Sequence, residues 1–360
     1  MHLHTEQKSV LHTTAGRFFH KALATPLIAL LLTVSCQRTN QPVRLHGEAQ
    51  GTYYSVAYYD TRHRNLQPQI DSLLNDFDLT ASLWVENSLI RRANRHENPP
   101  ANAIFRDLLR HSLQMEDYTQ GAFNCKIGSL VNLYGFGFKN REDITDSQID
   151  SLLGLIRQGQ CSISGPDSTE AQVILTPGIE LDFNAIAQGY AVDLIAAMLD
   201  KEGIESYLID VGGEVIARGC KADGSDWTVG IERPAKDKYS DQEIETAIGL
   251  RNRSVVTSGS YRKYYEHNGT RYSHTIDPST GRPVSHSLLS VSVVSSSAWY
   301  ADAMATAFMV MGLDKSLQFI HDHPENADIQ AVFFIYDDHG TYKTHATPAF
   351  QKLISNPPTE

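Results

Sequence analysis

Apolar positions along this chain change period several times, and each change marks an element. Residues 43–59 alternate as a strand pair would, with Gly47 and Gly51 as breaks and an aromatic end at Tyr53, Tyr54, Tyr58 and Tyr59. Ile70, Leu73, Leu74 and Phe77 then recur at helical spacing, as do Ile104, Leu108, Leu109, Leu113 and Met115. A third amphipathic helix is predicted over 146–157, with Thr145 as its cap. Short strands are expected over 173–175 and 179–183, then a helix over 185–200. Residues 206–294 read mostly as strands punctuated by glycines. Helices over 298–312 and 313–321 precede a last strand over 329–336. There are no repeats and no clean linker. Mixed elements without a steady strand–helix–strand rhythm predict an α+β fold.

The amino-terminus stands apart from that pattern. Lys8, Arg17 and Lys21 precede an apolar run over 22–34 that ends at Ser35-Cys36. A basic region followed by a short apolar stretch is a secretory signal, too short for a good membrane span. A small residue directly before Cys36 matches a lipobox, although Thr33 stands where leucine is usual. The expected organisation is a lipoprotein signal over 1–35, lipidation at Cys36, a polar tether over 36–42, a catalytic domain over 43–350 and a tail over 351–360. The alternative, an uncleaved anchor, also places the domain outside the cytoplasm. The expected location is the bacterial cell envelope, lipid-anchored and facing the periplasm or exterior.

The formal charge is −11, and removing 1–35, which carries a net +2, leaves about −13. Without a dense basic stripe, nucleic acid is disfavoured as a partner. Cys125, Cys161 and Cys220 remain after lipidation, an odd and widely spaced set that is neither a disulfide framework nor a zinc site. One bridge among them and buried free thiols both stay open.

Chemistry concentrates in three segments. His274-Thr275-Ile276-Asp277-Pro278-Ser279-Thr280-Gly281-Arg282-Pro283 reads as a strand end that delivers a histidine into a tight turn, with Pro278 holding Asp277 extended. Ala301-Asp302-Ala303-Met304-Ala305-Thr306 lies on a helix of small residues, so Asp302 and Thr306, at i and i+4, share a face. A carboxylate and a hydroxyl one turn apart suit a hard cation such as Mg2+. Residues 181–193 run from a strand end into a helix amino-terminus, where backbone amides favour anions. Asp182 there either holds a polar ligand edge or contacts backbone alone. His274 either touches phosphate and takes a proton or is a structural partner of the Asp277 turn. Trp84 is either a stacking surface or core. The other histidines show no metal-ligand spacing.

Taken in order, these segments resemble the flavin transferase (ApbE) family of periplasmic lipoproteins. Residues 47–56 resemble its opening glycine-methionine-glycine-threonine strand, Thr119-Gln120-Gly121-Ala122-Phe123-Asn124 its "dGAFD" turn, and Leu133-Tyr134-Gly135-Phe136-Gly137 its "lWgFG". Residues 186–193 resemble "giAKGYavD", Val211-Gly212-Gly213-Glu214 its double-glycine strand, and Thr257-Ser258-Gly259-Ser260-Tyr261 its "tSGdYer". Residues 274–283 and 301–306 complete the set, as "HxIDPxTGrP" and "aDAlAT".

The resemblance implies an enzyme that binds FAD, with Mg2+ across the pyrophosphate, and splits the bond between the two phosphates. FMN goes to a threonine hydroxyl of an acceptor protein, with AMP released. The implied acceptors are exported flavin-bearing subunits of membrane electron-transfer complexes. Carried over by position, Asp302, Thr306 and the Ala185 carbonyl would hold the metal. Gln50, Trp84, Ala122, Phe123, Asn124, Asp182, Gln188, His274 and Ile276 would line the FAD site, with His274 and Asp302 catalytic. Five positions depart from the pattern: Gln50 replaces methionine, Asn124 aspartate and Gln188 lysine, while Lys126 and Ser129 replace a threonine and a proline. Lys126 is a candidate to restore the charge absent at 188. Two alternatives remain: an FAD pyrophosphatase giving FMN and AMP, and a non-catalytic FAD-binding lipoprotein.

Overall fold

The computed structural model describes residues 41–136, 144–165, 171–234, 243–260, 264–267 and 270–355. The signal segment, Cys36 and residues 36–40 of the tether lie outside the described residues, as do Gly137, Tyr261 and the tail from 356.

An eight-stranded antiparallel sheet organises the domain. Its strands are β1 (Val43–Ala49), β2 (Thr52–Tyr58), β5 (Tyr207–Val211), β6 (Glu214–Arg218), β9 (Arg253–Gly259), β14 (Leu288–Ser295), β15 (Ala331–Asp338) and β16 (Thr341–Ala346), in that spatial order. The central strands bury both faces, which their alternation accomplishes residue by residue. Val256, Val293 and Phe334 point into the main core beneath the helices. Their neighbours Val255, Val294 and Phe333 point the other way, against a hairpin of β7 (Trp227–Glu232) and β8 (Ile244–Leu250).

Five helices close the main core: α1 (Gln67–Ala81), α2 (Leu89–Asn94), α3 (Ala103–Tyr118), α6 (Ala187–Lys201) and α7 (Ala298–Met311), with α8 (Leu313–Asp322) behind them. α7 is buried on nearly every side, as a helix apolar all round must be. A satellite cluster of Leu130, Tyr134, Ile149, Leu153, Ile156, Ile179 and Ile276 holds α4 (Gly128–Leu133) and α5 (Asp146–Gln158) beside it. Thr145 caps α5 in a full capping box with Gln148.

The α+β expectation holds, and the differences are local. Gly47 is no break. It lies within β1 because the Tyr54 ring of the paired strand crosses it, and a Cβ there would stand 2.6 Å from the phenolic oxygen. The turn falls at Gln50 and Gly51, both left-handed, with φ 55° and 73°. Residues 179–183 form no strand beyond one bridge between Ile127 and Glu180. The Asn94 side chain takes both the N–H and the carbonyl of Leu181, and the Asp182 N–H goes to the Cys125 carbonyl, so this backbone is satisfied without a ladder. The expected last strand is followed by β16 and by α9 (Pro348–Gln351). The domain also runs past 350: Leu353 and Ser355 exchange backbone bonds with β8 at Gly249 and Ala247, 2.9 and 2.8 Å. The short elements α2, α4 and β3 (Cys161–Ser164), which pairs with β4 (Gln172–Leu175), carry too few periodic residues to read from sequence.

α6 and α7 cross at Gly189. A Cβ there would lie 2.8 Å from the Asp302 Cβ and closer still to the Ala298 carbonyl, so only glycine admits the approach. Gly189→Ala should cost about 1–3 kcal/mol, the usual penalty for overpacking a dense core. Urea unfolding followed by circular dichroism measures it, and an unchanged midpoint would show that the crossing has slack.

Candidate active site

The crossing of α6 and α7 places the acidic residue singled out from sequence. Asp302 is 5% exposed, and its Oδ2 accepts from the Gly189 N–H at 3.0 Å. Gly189 is in the first turn of α6, so this carboxylate satisfies one of the N–H groups that every helix start leaves unpaired. Asp193, one turn further along α6, returns the arrangement. Its Oδ1 accepts from Ala298 N at 3.0 Å and its Oδ2 from Trp299 N at 2.8 Å, capping α7. Burial pushes the Asp193 carboxyl up to about 6 against those two bonds. Burial raises Asp302 as well, opposed by the Gly189 bond and reinforced by the Asp193 charge.

One turn beyond Asp302, the Thr306 hydroxyl lies 3.3 Å from the Ser258 hydroxyl on β9. The donors gathered here are hard oxygens: one carboxylate and two hydroxyls. Among the described residues no group of three or more His, Cys, Asp or Glu side chains is placed to hold a metal. That composition fits Mg2+, which keeps water and phosphate in most of its positions. It does not fit zinc. Ala185 sits in the turn before α6, half-buried.

Gln188 reaches the other way. Its Nε2 donates to the Val211 carbonyl at 2.9 Å, beneath the turn at Gly212, whose φ is 63°. A Cβ on Gly212 would meet that amide and, at 2.7 Å, the methyl of Thr52, the first residue of β2 after the Gln50–Gly51 turn. Gln188, Gly212 and the Gln50 turn therefore meet. Gln50 carries a buried side-chain Nε2 with no partner, while its backbone N–H bonds Asp78. A buried orphan donor costs free energy unless something accepts from it, and a ligand carbonyl or phosphate oxygen would do so.

The same 182–189 segment leads to a cavity of about 200 Å³ lined by Trp84, Arg91, Arg95, Asn132, Asp182 and Asn184 among others. Trp84 is 70% exposed, which settles its alternatives against core packing. Asp182 is buried and its Oδ1 accepts from Asn184 N at 2.7 Å, so it shapes the turn into α6 from the cavity wall. Phe136 also lines the cavity, and His274, half-buried just after β11 (Thr270–Ser273), meets its ring edge-on at 6.4 Å between centroids. The Asp277 carboxylate accepts from the Ser279 N–H and hydroxyl at 2.8 and 2.7 Å, and Gly281 leaves the turn left-handed, at φ 66°.

Other expected residues contribute differently. Phe123 is in the main core and Ile276 in the satellite core, so neither side chain lines the cavity. Ala122 is half-buried against the main core. Asn124 spends its amide on Glu116 at 3.0 Å and its carbonyl on Lys126 N at 2.8 Å. The Lys126 ammonium pairs with the same Glu116 at 2.9 Å, so it does not stand in for a cation at 188. Residues not singled out from sequence complete the site. Asp193, Gly189 and Ser258 position it. Arg91 and Asn94 come from α2, whose Ser88 cap, accepting from Arg91 N, is the one signal that reveals that helix.

The chain matches the ApbE family over residues 50–333. It is 33% identical to an FAD:protein FMN transferase of Vibrio cholerae over 338 residues, covering 91% of this chain and 98% of the relative. It is 30% identical to the Escherichia coli FAD:protein FMN transferase, covering 91% and 96%. The structure is similar to that of the apo flavinyl transferase ApbE of Pseudomonas stutzeri, with a TM-score of 0.73 at 31% identity, covering 88% of this chain and 98% of that one. On the strength of that match over most of its length, this chain belongs to the ApbE family.

Proposed function

We propose that this protein is an FAD:protein FMN transferase: it takes FAD as substrate, passes the FMN part to a threonine hydroxyl of an acceptor protein and releases AMP. The observation that carries this reading is the buried Asp302, aimed by the Gly189 N–H and followed one turn later by the Thr306 hydroxyl. Bound Mg2+ would supply charge neutralisation on the pyrophosphate. Asp302, Thr306 and the Ala185 carbonyl would hold it. The exposed face of Trp84 offers a planar surface to a ring of the substrate, and Asp182 a polar edge. The orphaned Gln50 Nε2 offers a donor to substrate oxygen. His274, beside the cavity through Phe136, takes the proton from the attacking hydroxyl.

The acceptors fitting this chemistry are flavin-bearing subunits of membrane electron-transfer complexes outside the cytoplasm. Lipidation at Cys36 would hold the enzyme on the membrane that carries them. A second reading, FAD binding without turnover, is favoured by one observation: Gln188, Asn124 and Lys126 all direct their polar groups to the protein itself. Hydrolysis to FMN and AMP would use the same residues without a docked acceptor. Incubation with FAD, Mg2+ and an acceptor protein separates the three by product: flavin retained on threonine, free FMN with AMP, or unchanged FAD.

Asp302→Ala is expected to lower turnover at least 100-fold, the scale typical of losing a group that stabilises transition-state charge. Its circular dichroism spectrum should stay that of a folded protein. Activity equal to wild type would remove the metal from this helix.

Gln188→Lys is expected to tighten FAD binding several-fold, because a charge-assisted hydrogen bond is worth roughly 1 kcal/mol more than a neutral one. The gain should shrink as salt is added. Fluorescence titration of FAD at two salt concentrations measures both effects, and unchanged affinity would mean that residue 188 does not approach phosphate.

Cys36→Ser should leave the protein out of the membrane fraction or unprocessed, with its FAD affinity intact. Mass spectrometry of the wild-type amino-terminus checks the premise, and a mature chain starting elsewhere without lipid would end it.

A further inference from the structure

Polar contacts hold α7 at three places spaced one turn apart. Its first two N–H groups, at Ala298 and Trp299, donate to the two oxygens of Asp193 at 3.0 and 2.8 Å. Four residues after Ala298, Asp302 takes the Gly189 N–H at 3.0 Å. Four residues further, the Thr306 hydroxyl meets that of Ser258, 3.3 Å away. Positions 298, 302 and 306 share one face of the helix. Asp193 and Gly189 are likewise one turn apart on α6, so the first two contacts bracket the crossing. There a Cβ on Gly189 would strike both the Ala298 carbonyl and the Asp302 Cβ.

The three contacts differ in what the proposed reaction asks of them. Asp302 and Thr306 are the side chains that would hold Mg2+, so a cation competes for the groups that make the second and third contacts. The first contact involves no metal ligand. It is also supplied from outside the helix. Ser297, at the cap position of α7 with extended backbone, makes no side-chain capping bond. Asp193 does so from 105 positions earlier in the chain. Sliding α7 along its axis by one residue, about 1.5 Å, would stretch a hydrogen bond of ordinary length past use. Asp193 therefore fixes the helix at the one place the cation leaves alone.

We propose that Asp193 is a positioning residue for the cation site: it sets where α7 stands along α6, and so the place from which Asp302 and Thr306 offer oxygen to the metal. This role rests on the reading of those two residues as metal ligands given above. Asp193 governs divalent-cation affinity and turnover, and leaves FAD affinity in the absence of cation unchanged. Its carboxylate touches neither substrate nor metal and acts through the helix it holds.

The test separates positioning from capping. Asp193→Asn keeps the shape of the side chain but turns an amide donor toward one N–H of the helix start. Ser297→Asp gives α7 a cap of its own. The double variant is compared with Ser297→Asp alone, since both carry a capped helix, at a temperature where circular dichroism shows them folded. Calorimetric titration with Mg2+ should give a Kd roughly 10–100-fold higher in the double variant, the usual cost of removing a group that orients a metal ligand. The Mg2+ concentration for half-maximal turnover should rise alike, while the Kd for FAD measured without Mg2+ stays the same. Hydrogen exchange at the Gly189 amide, which needs neither metal nor activity, should be faster in the double variant. Equal exchange at Gly189 overturns the proposal, because Asp193 then merely caps α7. Faster exchange with unchanged Mg2+ affinity overturns the link to the cation, and weakened FAD binding without Mg2+ overturns its confinement to the cation site. Wild-type protein that binds no Mg2+ through Asp302 would instead remove the metal reading, and exchange at Gly189 still decides whether Asp193 positions Asp302.

Discussion

The site depends on an exchange of carboxylates between two helices. Asp193 leaves α6 to cap the start of α7, and Asp302 leaves α7 to satisfy an N–H in the first turn of α6. Each helix start carries partial positive charge and unpaired N–H groups, and each receives a carboxylate oxygen, so two buried acids become tolerable. The geometry requires the helices to cross at glycine contact, which Gly189 permits. Removing the crossing would leave two carboxylates in apolar surroundings and two helix ends unsatisfied. The position of Asp302 is therefore set by tertiary packing before any metal or substrate arrives.

Much of this was legible in the sequence, and for physical reasons. The i, i+4 spacing of Asp302 and Thr306 places them on one face whatever the rest of the fold does. The 277–281 turn follows from Pro278 and Gly281, and the helix over 146–157 from its Thr145–Gln148 box. Residues whose roles come from distant contacts were less visible. Asp193 reads as an ordinary polar position on α6 until Ala298 is seen 3.0 Å away. Residues 179–183 have a strand's composition, but Asn94 satisfies Leu181 from 87 positions away. Phe123 and Ile276 lie within recognisable motifs, yet the side chains of both turn into core.

The departures from the family pattern form two local networks rather than isolated changes. Asn124 and Lys126 share Glu116 of α3, so the ammonium neutralises the carboxylate and the amide donates to it. Gln188 binds the Val211 carbonyl and braces the glycine turn that faces the Gln50 hairpin. A neutral amide in that place stiffens the loop through backbone contact, while leaving less positive potential beside the helix start.

The hairpin behind the sheet has a consequence for how the chain assembles. Its β8 strand bonds to residues 353–355, and Phe350 stacks on Phe333 with ring centroids 5.1 Å apart. The second hydrophobic layer is thus sealed by nearly the last residues described. Contacts of such long sequence separation form slowly, because most of the loop entropy is spent before they are made. The layer behind the sheet is completed only when residues 350–355 join the hairpin, so it stays partly open until that segment is in place.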